Sequence, residues 1–207
     1  MKSKLHFGFY GALLFLITSI AGGYLYPNYS HIQQFISESY AADAPYGFEL
    51  RWFGFIPSGI LFCLFFIFNH RYLNTSIYSK LGTLGFVFLY GFGTILCSIF
   101  YCDAGCMPET PSISQIIHNV MGGLFYLFLP MLYLFIFKGL DNQNLFLKKL
   151  TLLCFIVSLF LIILFFKFFD SNFKGILQRL IEGMLLIWIS VMDFQLKHSK
   201  TQTSLSH

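Results

Sequence analysis

Six long apolar runs joined by short polar links constrain this chain more than any other feature. They cover 5–26, 52–69, 81–100, 111–137, 150–169 and 175–196. A bilayer core of roughly 30 Å takes about 20 apolar helical residues, and each run is close to that length. The first three contain no Asp, Glu, Lys or Arg. The fourth has His118 alone among strongly polar ionisable residues, and the fifth is apolar up to Lys167, which can snorkel outward. The sixth carries Arg179, Glu182 and Asp193. The runs are continuous rather than alternating, which selects helices over barrel strands. Composition closes the other routes. Charged residues are 11%, against about 25% in a soluble domain, and Phe occurs 28 times. So few charges cannot cover a soluble surface, and so much apolar surface excludes disorder. Collagen-like, disulfide-scaffold and nucleic-acid-binding classes are excluded as well. The expectation is an all-α polytopic membrane protein. It is one six-transmembrane-helix bundle over 1–207, with no repeat and no linker long enough to divide it.

The positive-inside rule orients the bundle. With the N-terminus in the cytoplasm, that side holds Lys2, Lys4, Arg71, Lys80, Lys138, Lys148, Lys149, Lys197 and Lys200. The other side holds Arg51, Lys167, Lys174 and Arg179. The nine-to-four split places both termini inside, in a bacterial inner membrane. The net charge of +4 then reads as orientation signal and attraction to anionic membrane lipids, not as a nucleic-acid footprint. Lys2 and Lys4 before an apolar run, with Ser19-Ile20-Ala21 behind it, also resemble a signal peptide. The run continues through Tyr24, Leu25 and Tyr26, so an uncleaved first helix is the reading adopted. The polar tail from Lys197 reads as frayed, with a Lys-rich juxtamembrane start.

Two loops lie on the extracytoplasmic side in this topology. In Pro27 to Arg51, Ser30 and Gln33 read as a capping box, and Ile32, Phe35, Ile36 and Tyr40 share one helical face. That predicts a short extracytoplasmic amphipathic helix at the membrane surface, ended before Pro45. It would be a simple anchor, or a lid over the bundle mouth carrying Glu38. In the second loop, Thr110-Pro111 reads as the N-cap and first position of the fourth helix. Cys102 and Cys106 fit a short-loop disulfide in an oxidising space, or half of a zinc site with no second ligand pair in view. Cys63, Cys97 and Cys154 sit inside spans as small packing residues.

Polar groups at membrane depth are costly and usually face the bundle interior. On the fourth helix Ser114, His118 and Gly122 recur every four residues beside Gln115, Asn119 and Gly123. On the sixth, Gln178 and Glu182 share a face, with Arg179 placed to pair with Glu182 at i, i+3. Both patches fall in the outer half of the membrane, below Asp103 and Glu109. They form either a shared polar pocket or interhelical hydrogen-bonding glue. Asp193 and Lys197 read as a surface pair. Pro57 and Pro130 are candidate helix breaks. Gly8 and Gly11, and Gly82, Gly85 and Gly93, read as close-packing faces.

Several strings taken together resemble a known family. Tyr26-Pro27-Asn28-Tyr29-Ser30, Ile36-Ser37-Glu38 and Ala44-Pro45 are similar to the outer-loop signature of a bacterial six-helix membrane family catalogued as domain of unknown function 998. Phe100-Tyr101-Cys102-Asp103 resembles its Phe-Pro-x-Asp, His118 its fourth-helix His, and Gln178-Arg179 its last-helix Gln-Arg pair. The chain departs at Tyr101, where Pro is usual, and the Cys102/Cys106 pair lies outside the pattern. The family carries no established activity. The resemblance adds weight to Glu38, Asp103, His118, Gln178 and Arg179 as site residues.

Three functions compete. One is a lipid-directed hydrolase or transferase. Asp103 and His118 would be its acid/base pair or metal ligands. Glu38, Gln178, Arg179 and Glu182 would bind substrate, with Arg179 on a phosphate or carboxylate headgroup. Catalytic zinc takes three protein ligands, so His31 or Glu182 would have to join. The second is a small-solute transporter or binding protein, the third a structural or assembly protein without catalysis. A haem carrier is disfavoured because His118 has no intramembrane His partner. Cofactor, metal content and oligomeric state are left open by the sequence.

Overall fold

A computed structural model describes the backbone of residues 5–73, 76–140 and 144–205, and side chains within these except at 71–73 and 197–205. The expected anchors Lys2, Lys4, Arg71, Lys197 and Lys200, and the Asp193–Lys197 pairing, therefore lie outside the described side chains. Six helices are long and apolar enough to cross a membrane. They are α1 (Phe7–Leu25), α2 (Gly47–His70), α3 (Ile77–Ile99), α4 (Ile113–Gly139), α5 (Leu145–Lys167) and α6 (Lys174–Leu196, continued to Leu205). No strand occurs among the described residues. All six expected spans are present in order, so the chain is an all-α polytopic bundle.

Each helix packs on its neighbour in sequence, and α6 closes against α1, giving a ring. Lipid tails are as apolar as leucine, so contact shape and hydrogen bonds must hold such a ring together. Glycines allow the close crossings. A Cβ on Gly59 of α2 would sit 2.7 Å from the Gly91 carbonyl oxygen of α3, and one on Gly139 of α4 would strike Ser79 of α3. Gly8 and Gly11 meet Phe65 and Phe62, and Gly82 and Gly85 meet Ile136 and Leu132, the packing role their spacing implies.

A six-helix ring leaves a central space that backbones cannot fill, and the abundant aromatics fill half of it. At the end nearer the termini, Phe66 stacks on Phe86 at 5.0 Å and Phe86 on Trp188 at 5.0 Å, while Tyr133 meets Trp188 edge-on at 4.9 Å. All four are fully buried. The Trp188 indole N–H donates to Thr151 Oγ1 at 3.0 Å, so its polar atom is satisfied within the plug. The other end stays open.

Local geometry departs from the sequence expectation in four places. The segment after Ser30 is not an amphipathic surface helix. It runs through turns into a 3₁₀ helix, Ile36–Tyr40, whose five residues are all buried. The reason is competition for its backbone: Arg179 Nη1 takes the carbonyls of His31 and Gln34 at 2.8 Å each, and Gln178 Oε1 takes the Ile36 N–H at 2.6 Å. Those groups are then lost to an α-helical ladder. The reciprocal cap at Ser30 comes from Gln34 rather than Gln33, its Oε1 accepting the Ser30 N–H at 2.8 Å.

At α4 the N-cap is Ser112, not Thr110, and its Oγ accepts the Gln115 N–H at 3.1 Å. Asp193 is 1% exposed, not a surface residue. It caps α1 by accepting the Phe9 N–H at 3.1 Å, with His6 Nδ1 at 3.6 Å. Pro130 does not break α4, which is continuous over 27 residues. Pro57, by contrast, follows a π-helical turn, Arg51–Phe55. Its missing N–H frees an upstream carbonyl, and the wider turn re-registers the ladder there. A second π turn, Phe86–Gly91, lies in α3.

Candidate functional site

The open half of the ring encloses a cavity of about 500 Å³ to which all six helices contribute. The two π turns aim side chains at it: Phe55 from α2, and Leu89 and Tyr90 from α3. Such turns recur at functional sites. Its walls are rich in aromatics; Tyr90, Tyr126 and Gln178 converge on Glu182, while Gln115, His118 and Asn119 line the α4 side.

Glu182 lies two turns into α6, roughly 12 Å from the helix start, and is 6% exposed. Its Oε1 accepts the Tyr126 hydroxyl at 2.7 Å and its Oε2 the Tyr90 hydroxyl at 3.3 Å. The chain behind Tyr126 has a fixed direction. Gln178 Oε1 is committed to the Ile36 N–H, so its Nε2 must face Tyr126, to which it donates at 3.1 Å. Tyr126 then donates onward. Every proton in this relay points toward the carboxylate. The Arg179–Glu182 pair read from the i, i+3 spacing does not form. Arg179 instead donates to His31, Gln34 and Gly175 carbonyls and, through Nη2, to the Tyr29 hydroxyl at 2.6 Å.

His118 lines the same cavity. Its Nδ1 lies 3.0 Å from both the Cys97 and Phe100 carbonyl oxygens, at the C-terminus of α3. Two acceptors on one ring nitrogen require that nitrogen to carry the proton. In the neutral ring Nε2 then carries the lone pair, and among the described residues no hydrogen bond to it occurs. Tyr40 also lines the cavity, its hydroxyl without a hydrogen-bond partner among the described residues. Burial pushes its phenol well above the usual range, so it remains a proton donor.

Asp103 sits at the rim and works as a staple. Its carboxylate accepts the Ser112 N–H at 2.8 Å and the Ser112 hydroxyl at 2.7 Å, and its own N–H donates to Gln115 Oε1 at 2.8 Å. No hydrogen bond joins it to His118. Cys102 and Cys106 are joined as a disulfide, packed on Ser37. Tyr101 stacks under the Arg51 guanidinium at 3.9 Å, and its carbonyl accepts Ser114 Oγ at 2.7 Å.

The Ile36–Tyr40 segment roofs the cavity. It is tied down by Gln178, by Arg51 donating to the Tyr40 carbonyl at 2.6 Å, and by the Ala42 N–H bonding the Cys102 carbonyl at 2.9 Å. Glu38 belongs to this roof. It accepts from the Phe35 N–H at 2.9 Å and Gln34 Nε2 at 3.1 Å, and pairs with Lys174 at 3.4 Å. Glu38 and Arg179 thus anchor the roof, Gln178 joins it to the cavity floor, Glu182 and His118 face the space, and Asp103 fixes the rim. Tyr90 and Tyr126 were not singled out from the sequence. Twelve tyrosines are scattered through aromatic spans, and nothing local marks two of them as partners of a carboxylate.

The cavity also has a side opening. Asn119 on α4 and Phe166 and Phe169 at the end of α5 are lining residues that are exposed, as are Met107 and Pro111 at the rim. Gly122 and Gly123 lie on the same α4 face, and an added Cβ at either meets nothing within 4 Å. Here glycine leaves room instead of allowing contact. Among the described residues no three His, Cys, Asp or Glu side chains gather as a metal ion would require.

Fold and site together define a polytopic membrane protein with a roofed, side-opening cavity. The chain belongs to the family described as Protein of unknown function (DUF998), whose model matches residues 9–193. No curated protein and no solved structure matches it.

Proposed function

We propose that this chain is an amphiphile-binding membrane protein, taking a lipid or lipid-like molecule laterally from the bilayer into the cavity beneath the Ile36–Tyr40 roof. One observation carries the reading. A cavity of about 500 Å³, within the usual range for small-molecule sites, has mostly apolar walls, a polar cluster around Glu182 and a side opening between α4 and α5. Two consecutive glycines face that space with no packing partner, which interhelical glue does not explain. A through-path for a solute fits less well, because the Phe66, Phe86, Tyr133 and Trp188 plug fills the ring below Glu182. The positive-inside split supports a topology with the roofed end outside the cytoplasm of a bacterial inner membrane.

A lipid-directed hydrolase or transferase is the second reading, favoured by one feature. The free Nε2 of His118 in the cavity is suited to accept a proton. In that scheme Asp103 acts on the rim through Gln115, not as a direct partner of His118.

Native mass spectrometry of the protein released from lipid nanodiscs tests the binding reading. The wild-type chain is expected to retain one amphiphile. Gly123→Leu, which fills open space, is expected to lose it with unchanged thermal stability. Equal retention in both would refute the proposal. For orientation, a Glu109→Cys variant is expected to react with an impermeant maleimide on intact cells, and labelling only after lysis would invert the topology.

A further inference from the structure

We propose that the ligand of this cavity is a lipophilic monocation, an amine or quaternary ammonium on an apolar body, with Glu182 as its counter-ion. This rests on the amphiphile-binding reading and adds the sign of the charge.

The charge inventory comes first. Glu182 is the sole Asp or Glu among the lining residues, and no Lys or Arg lines the cavity. The nearby basic groups are committed elsewhere. Lys174 pairs with Glu38, Arg51 holds the Tyr40 carbonyl and stacks on Tyr101, and Arg179 holds the loop before the roof. No salt bridge to Glu182 occurs among the described residues. A carboxylate at membrane depth without an internal counter-ion is costly. Its oxygens nevertheless face donors only, since the Ile36–Gln178–Tyr126 relay and Tyr90 all aim protons at them. Such an arrangement is suited to a cation arriving with the ligand.

The walls agree. Phe15, Phe35, Phe55, Tyr90, Phe125 and Phe165 line the cavity, and aromatic faces attract a desolvated cation and repel an anion. His118, whose Nδ1 is held by the Cys97 and Phe100 carbonyls, adds no fixed positive charge to the lining.

Tetraphenylphosphonium and tetraphenylborate are nearly equal in size and opposite in charge. Their binding to the full chain in nonionic detergent is measured by equilibrium dialysis, each corrected by the binding left in Gly123→Leu. The cation is expected to bind at least about tenfold more tightly, the lower bound for one close charge pair with Glu182. Glu182→Gln should abolish that preference. Gly122→Lys, whose new side chain enters open space and leaves the tyrosine relay intact, should abolish it independently. Equal or tighter borate binding, or a preference that survives both substitutions, overturns the inference on charge while a Gly123→Leu effect on both ions keeps the cavity reading. If Gly123→Leu changes binding of neither ion, both readings fall.

Discussion

At the scale of single residues, Asp103 illustrates how a group that invites a catalytic reading serves the frame of the site. Two bonds from Ser112 hold its carboxyl below the usual carboxylate range, the backbone N–H contributing most and the hydroxyl next. A carboxylate with a depressed folded pKa adds stability above its unfolded value near ~4, and that stability is lost as pH falls through the folded value. The unfolding midpoint in nonionic detergent is therefore expected to drop between roughly pH 5 and pH 2, and less steeply in Asp103→Asn. Identical profiles for the two proteins would show that the staple contributes nothing. The sequence displayed Asp103, Glu38, Gln178, Arg179 and Glu182 as polar groups in apolar or loop settings. It did not display their partners. Asp103 meets a residue nine positions away, and Gln178 meets Ile36 across 142 positions. The first forms within the loop between α3 and α4, and the second only when α6 meets the roof.

At the scale of elements, the spans were legible because apolar runs of helical length admit one reading in a bilayer. The roof was not. Its periodicity fits an amphipathic helix, but side chains from α6 claim its backbone groups and leave a 3₁₀ turn. The glycines divide by element contact rather than by spacing. Gly59 and Gly139 sit at crossings with no room for a methyl group, whereas Gly122 and Gly123 face open space on one helix. Gly59→Ala and Gly139→Ala are expected to destabilise by about 1–3 kcal/mol through overpacking. Gly122→Ala and Gly123→Ala are expected to be neutral or to stabilise by roughly 0.5–1 kcal/mol, since alanine is the better helix former. Reversible unfolding in mixed micelles measures both pairs, and similar losses at all four positions would contradict the cavity's shape.

At the scale of the whole molecule, the ring has two halves with different contents. Near the termini, stacked aromatics satisfy the space left by six helices. Under the roof the same space is left open, edged by glycine and floored by a carboxylate with two phenolic donors. Aromatic abundance in the sequence announced a need to fill volume but not where filling stops, because that boundary depends on the two π turns and on which helix faces converge. The central claim is that the open half holds an amphiphile with its polar end at Glu182. An experimental density map of the chain in lipid nanodiscs tests it most directly. Elongated non-protein density running from Glu182 past Gly122 and Gly123 toward the α4–α5 opening is the result this account requires. A cavity closed by Phe125, Phe165 and Phe166 would contradict it.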